Sequence, residues 1–124
     1  MMIIDSCGWL EWFASGGLAD TYRPYLEQRD QILVPAIIIY EVYKVLKREI
    51  SEEKALLAVG YMNQLQVIPI DETLALAAAD ISLNEKLAMA DAIIAAVARI
   101  RQCTIITSDA DLKDQPQVTY IPKL

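Results

Sequence analysis

A chain of 124 residues with 55% hydrophobic content and a mean hydropathy of +0.28 reads as one domain large enough to bury a real core. Its net charge of −6 excludes a broad basic surface of the kind that holds nucleic acid by counterion release, so any such contact is local and salt-sensitive. The complete absence of histidine excludes a histidine general base, a Ser-His-Asp triad and the usual histidine-rich zinc site, leaving carboxylates and metal as the means of any hydrolysis.

In chain order, residues 2–5 read as a short buried strand, apolar and ended by Asp5. Residues 6–14 read as a helix carrying Trp9, Trp12 and Phe13, and Ser15-Gly16-Gly17 as a break. A helix over 18–29 and a second strand over 31–34 follow. Pro35 suits the first turn of a helix over 36–50. Ser51 caps the next helix, which runs to about residue 64 with Glu52 and Glu53 in its first turn. Residues 65–70 form a third strand in which Pro69 marks an edge or an end. Asp71 caps a helix over 72–84, and a further helix spans 87–101. That last apolar stretch carries Asp91 and Arg99 and falls short of a membrane span. Strands over 104–107 and 118–121 complete the pattern. The opening residues lack the basic segment and cleavage pattern of a signal peptide, and the expected location is cytoplasmic. Alternation of this kind predicts a single α/β domain, a mostly parallel central sheet of about five strands flanked by helices.

Four acids stand where such a pattern would not otherwise place them. Asp5 closes Met1-Met2-Ile3-Ile4, and Asp109 follows Ile105-Ile106-Thr107-Ser108. Asp91 opens the apolar run Ala92-Ile93-Ile94-Ala95-Ala96-Val97-Ala98. Each of these three, taken alone, has an ordinary reading as a strand end, a turn residue or a helix cap. Glu41 is harder to dismiss, because its neighbours at helical spacing are Ile37 and Ile38 on one side and Lys44 and Val45 on the other, and an acid on a largely apolar face is costly unless it is paired or bound to metal. Both Asp5 and Asp109 sit just past strand C-termini, the rim where ligands gather in parallel sheets. Four carboxylates on one rim would need a cation or protons to offset their repulsion, and Mg²⁺ and Mn²⁺ prefer such an oxygen ligand set. Asp20, Asp30, Asp71 and Asp80 read as caps or surface charges. Lys44, Lys47 and Arg48, and separately Arg99 and Arg101, are local basic clusters that an ordinary solvated helix face explains equally well. Cys7 and Cys103 read as small core fillers in a reducing compartment. The aromatics Trp9, Trp12, Phe13, Tyr22 and Tyr25, with Leu10 and Leu18, exceed what a small core readily hides and suggest a groove for an amphipathic partner helix.

Taken in order, Ile3-Ile4-Asp5-Ser6, Tyr40-Glu41-Val42, Met89-Ala90-Asp91-Ala92-Ile93-Ile94-Ala95-Ala96 and Ile106-Thr107-Ser108-Asp109-Ala110-Asp111-Leu112 resemble the motifs of a PIN domain. Within that superfamily the chain is most similar to VapC-type toxins of toxin–antitoxin pairs. One departure is Leu112, where the family often has Phe. The resemblance implies a Mg²⁺- or Mn²⁺-dependent endoribonuclease, acting on tRNA or other RNA, homodimeric and held inactive by an antitoxin protein. It implies Asp5, Glu41, Asp91 and Asp109 as catalytic residues. Asp5, Asp91 and Asp109 would be metal ligands with Glu41, and Asp111 would be auxiliary or serve a second metal. Ser6, Thr107 and Ser108 would bond those carboxylates or the substrate phosphate. Two rivals remain from other classes: a PIN-like protein that only binds a partner, and a phospho-acceptor receiver domain. The receiver reading lacks adjacent acids after the first strand and a Lys after Ile105-Ile106-Thr107.

Overall fold

Met2–Ile4 (β1) is apolar on both faces, and that composition sends it to the middle of the sheet. In the computed structural model, which describes all residues 1–124, β1 lies between β2 (Ile32–Pro35) and β4 (Thr104–Thr107), with β3 (Gln66–Ile68) and β5 (Val118–Tyr120) at the two edges. The order is β3-β2-β1-β4-β5 and every neighbouring pair is parallel. Ile3 pairs with Leu33 on one side and Ile105 on the other. The chain therefore builds outward from β1 in one direction, then crosses back to lay β4 on its other side. The switch point falls between β1 and β4. This order differs from the 2-1-3-4-5 of receiver-type sheets, which removes the phospho-acceptor reading.

Six helices cover the sheet: α1 (Ser6–Phe13), α2 (Ala19–Leu26), α3 (Ala36–Glu49), α4 (Glu52–Met62), α5 (Glu72–Glu85) and α6 (Met89–Arg101). They pack in two groups, α1 with α2 and α3, and α3 with α4, apart from the tight pair α5 and α6. Right-handed crossovers running in opposite directions across a sheet produce this division. Residues Ala92 to Ala98 of α6 are all buried. A helix buried on every side needs small residues, and alanine at four of those seven positions meets that need.

Local signals set most element ends. Ser51 Oγ accepts the Lys54 N–H at 3.1 Å, and Asp71 Oδ1 accepts that of Leu74 at 2.9 Å, so both are the expected caps. The Ser15-Gly16-Gly17 break is closed by Glu11, whose Oε2 accepts the Leu18 N–H at 3.0 Å. Helix α2 stops at Leu26 rather than running on to residue 29. Pro24 lies inside it and cannot donate to the preceding turn. The chain then tightens into a 3₁₀ turn over Arg29–Gln31, so Gln31 belongs to the turn and not to β2. Pro35 ends β2 with extended ψ and sits at the cap of α3 instead of inside it. The third strand is shorter than residues 65–70, and it does lie at an edge.

Most of the N-terminal aromatics turn inward. Trp9 and Tyr22 are fully buried, while Trp12 and Phe13 are half-buried and pack edge-on against Tyr61 of α4 at 5.1 and 6.0 Å between ring centroids. They form an internal aromatic cluster with one exposed margin in place of an open groove. No helix is long and apolar enough to cross a membrane, and both cysteines are free.

Gly8 is the close-approach point of this layer. A Cβ there would lie 2.5 Å from Tyr22 Cε1 and 2.8 Å from Ile4 Cγ2. Gly8→Ala is expected to destabilise the protein by about 1–3 kcal/mol through overpacking, outweighing the roughly 1 kcal/mol that alanine gains in helix propensity. Urea unfolding measures it, and a variant as stable as the parent would show that the Tyr22 ring is free to move aside.

Candidate active site

At the carboxyl end of β1 the chain must turn into α1, and Asp5 makes that turn. Its Oδ1 accepts the Ser6 N–H at 2.8 Å as the helix cap. Its Oδ2 accepts the Thr107 hydroxyl, from the last residue of neighbouring β4, at 2.7 Å. Only 4% of Asp5 is exposed. The Thr107 Oγ1 in turn accepts the Asp109 N–H at 2.9 Å. One hydroxyl thus links the carboxylate after β1 to the backbone that delivers the acid after β4.

Asp109 caps a short 3₁₀ turn, Ala110–Leu112, by accepting the Asp111 N–H at 2.9 Å. That turn aims Asp109 and Asp111 at one point. Asp91, in the first turn of α6, meets them there, and one carboxylate oxygen from each of Asp91, Asp109 and Asp111 lies within 4.8 Å of the others. Asp91 is not the cap of α6, a position held by Ala88. Glu41, halfway along α3, is half-buried, with Oε1 fully enclosed and without a hydrogen-bond partner. Asp5 and Glu41 lie outside the tight triad but close enough that both act electrostatically on Asp91.

The electrostatics record the crowding. Burial and then the Asp109, Asp5, Asp111 and Glu41 charges push the Asp91 carboxyl up to about 7. Burial raises Asp5 above the usual carboxylate range, offset in part by its bonds from Thr107 and Ser6. Burial, followed by the charge of Asp5, also raises Glu41, while Ser6 and Lys44 oppose the rise. Oxygen-only donors, mutual repulsion and a buried carboxylate oxygen without a partner together match what a hard divalent cation requires.

Ser6 and Thr107 stand beside the acids. Ser108 does not: its Oγ lies 2.6 Å from the Tyr22 hydroxyl and only 2% of the residue is exposed. Consecutive residues leaving a strand point to opposite sides, so Thr107 and Ser108 divide between the acids and the core. Behind Ser108, Cys7 Sγ accepts the Ser108 N–H at 3.3 Å and lies 3.6 Å from the Tyr22 hydroxyl. Cys7 is therefore a polar strut more than a core filler, whereas Cys103 is buried as expected. Burial raises the Tyr22 hydroxyl well above its ordinary value, as it does the Cys7 thiol. Tyr22 and Cys7 carried no sequence signal of this role, although an isolated glycine inside a helix, Gly8, marked the spot where something packs close. Asp20 pairs on the surface with Arg23 at 2.8 Å, and Asp80 is exposed. Both lie apart from the acids.

A cluster of carboxylates at the switch point of a parallel sheet defines an α/β domain with a candidate cation site. A family profile described as PIN domain matches residues 2–117, and the chain belongs to that family. No curated protein sequence matches it. Among solved structures it is similar to a toxin–antitoxin complex from Klebsiella pneumoniae, with TM-score 0.78, 22% identity and coverage of 96% of each chain. It is also similar to VapC20 of Mycobacterium tuberculosis, described as a Sarcin-Ricin loop cleaving toxin (TM-score 0.79, 15% identity, 95% and 98% covered). A third likeness is to VapBC2 of Rickettsia felis bound to a promoter DNA fragment (0.76, 14%, 98% and 97%).

The raised Asp91 carboxyl has a signed consequence for stability. Asp91 ordinarily titrates near 3.8 and here near 7, so its protonated form favours the fold and that contribution is lost as pH rises through about 7. In chelator-treated protein, Asp91→Asn is expected to raise the melting temperature relative to the parent by a margin that opens between about pH 4 and pH 7. Added Mn²⁺ should stabilise the parent and close that margin. A margin that stays constant across this range would show that neither burial nor the neighbouring acids shift Asp91.

Proposed function

We propose that this chain is the toxin of a toxin–antitoxin pair, a metal-dependent endoribonuclease of the cytoplasm. The observation that carries the reading is the convergence of Asp91, Asp109 and Asp111, with Asp5 and Glu41 behind them, at the sheet's switch point. A PIN domain that only bound a partner would have no need to keep five acids crowded against their own repulsion.

Asp5, Asp91 and Asp109, joined by Glu41 and Asp111, would hold Mg²⁺ or Mn²⁺. When bound, the cation supplies Lewis acidity toward a phosphodiester and lowers the pKa of a water ligand. The chain's own contribution is placement. Thr107 and the Ser6 N–H fix both oxygens of Asp5, each keeping a free lone pair. The Asp111 N–H orients Asp109. Glu41 Oε1, enclosed and without a partner, is the one carboxylate oxygen of the group that the fold leaves buried and unsatisfied. Asp111, the exposed member, takes the auxiliary role.

The partners follow from the same reading: an RNA substrate, a cognate antitoxin and a second copy of the chain. An apolar depression of about 480 Å³, lined by Ile37, Ile70, Ala78, Met89 and Ile93 beside Asp91, supports a contact surface close to the acids. Met89 is 72% exposed at its edge and so is open to a partner.

Expressed without its partner, the protein is expected to arrest growth by cleaving RNA, leaving 5′-phosphate and 3′-hydroxyl ends because water attacks and not the ribose 2′-hydroxyl. Asp5→Asn, Glu41→Gln, Asp91→Asn and Asp109→Asn should each lower cleavage by on the order of 100-fold or more. Asp111→Asn should cost less and Asp80→Asn nothing. Cleavage by purified protein with Mn²⁺, its product ends and its loss in chelator are the measurements. A 2′,3′-cyclic phosphate product would overturn the mechanism, and an active Asp91→Asn protein would overturn the site.

A further inference from the structure

Helix α3 leaves the acid site carrying a second, differently charged face. Tyr40, Tyr43, Lys44 and Lys47 stand at i, i+3, i+4 and i+7, which is one stripe along the helix. Glu41 lies between Tyr40 and Lys44 in the chain and feels the Lys44 charge, and at 1.5 Å per residue the stripe is about 10 Å long. Tyr40 is 57% exposed. Lys44 Nζ sits over the Tyr40 ring at 5.0 Å, and Lys47 Nζ over the Tyr43 ring at 5.4 Å. Lys47 also reaches the Tyr43 hydroxyl at 3.3 Å and Glu52 at 3.9 Å, while Arg48 beyond it pairs with Glu49 at 2.8 Å. Lys44 makes no ion pair, and the nearby carboxylate it acts on is Glu41 itself.

We propose that this stripe is a subsite for single-stranded RNA, with Tyr40 stacking a base and Lys44 holding the phosphate next to it, on the path leading into the acid site. The inference rests on the ribonuclease reading and names how that substrate is gripped. Three physical points support it. An exposed aromatic ring interleaved with cations is the recurring platform for single strands, because every base has a face to stack and every step a phosphate to neutralise. A chain of net charge −6 has no overall attraction for RNA, so a strand depends on local cations for its grip. The track meets the carboxylates at Lys44, one turn from Glu41 and close enough that its charge acts on that acid. Duplex RNA, whose bases are already stacked, finds nothing to bind on Tyr40.

The test measures binding of a short fluorescein-labelled mixed-sequence RNA single strand by anisotropy, in the Asp91→Asn background with Mn²⁺, across a salt series. Tyr40→Ala is expected to weaken binding roughly 5- to 150-fold with the salt slope unchanged, and Tyr40→Trp to restore it. Lys44→Gln should weaken binding and reduce the slope of log affinity against log salt by about 0.7, one phosphate's worth for a single strand. Tyr40 and Lys44 are exposed, so both variants should melt with the parent. Unchanged RNA affinity and salt slope in both variants would overturn the track while leaving the ribonuclease reading in place, because their pairs would then serve only the helix. Failure of the otherwise unaltered protein to cleave any RNA with Mn²⁺ would remove the reading itself.

Discussion

Everything at the working end of this molecule depends on one constraint: carboxylates brought together repel each other, and burial adds to the cost of charge on Asp5, Glu41 and Asp91. The fold relieves that constraint only in part, through bonds from Thr107 and Ser6 and the charge of Lys44. No lysine or arginine forms an ion pair with Asp5, Glu41, Asp91, Asp109 or Asp111. What it supplies is hydrogen bonds from neutral donors, the Ser6 and Asp111 N–H groups and the Thr107 hydroxyl, which hold the acids in place without neutralising them. A neutralising arginine would stabilise the empty site and compete with any cation for the same oxygens. Neutral struts leave the charge available.

The sheet order explains why these acids meet at all. Because β1 and β4 are neighbours, the residues leaving their carboxyl ends are side by side, and the Asp5–Thr107 bond is the direct product of that adjacency. The first turn of α6 then delivers Asp91 from the chain segment just before β4. Behind this rim, Tyr22 and Cys7 brace Ser108 from the core side, so the loop carrying Asp109 and Asp111 is held from both faces. Gly8 makes the bracing possible by leaving room for the Tyr22 ring. A helix position with no side chain thus bears on how firmly acids on a distant loop are aimed.

Most of this was legible in the sequence where the signal is local. Strand ends closed by Asp5 and Asp109, an acid at the head of an apolar helix and Glu41 on an apolar face are patterns visible within a few residues. So were the caps Ser51 and Asp71. What was not legible depends on pairings remote in the chain. The Tyr22–Ser108 and Cys7–Ser108 contacts span separations of 86 and 101 residues, and no window of sequence contains both partners. The same holds for the division of the acids, with Asp91, Asp109 and Asp111 in a tight triad and Asp5 set back with both oxygens engaged. The early end of α2 came from Pro24 inside a pattern that otherwise continued, and the aromatic excess near the N-terminus was absorbed by Tyr61, which lies on α4.

The acidity of the whole chain and the RNA chemistry proposed for it are reconciled by where the charges sit. Without a cation, a phosphate approaching the rim meets Asp91, Asp109, Asp111 and Glu41 together, and the one lysine of α3 that acts on them, Lys44, offsets only part of the charge on Glu41. With a cation held there, the same rim turns attractive at the point where the Tyr40–Lys44 stripe ends. On that reading the metal and the RNA strengthen each other's binding, because each removes the charge that opposes the other, and such coupling is reciprocal. An acidic surface elsewhere then works in the same direction. It disfavours non-specific contact with strands elsewhere, so that the proposed track on α3 stands out as a local exception.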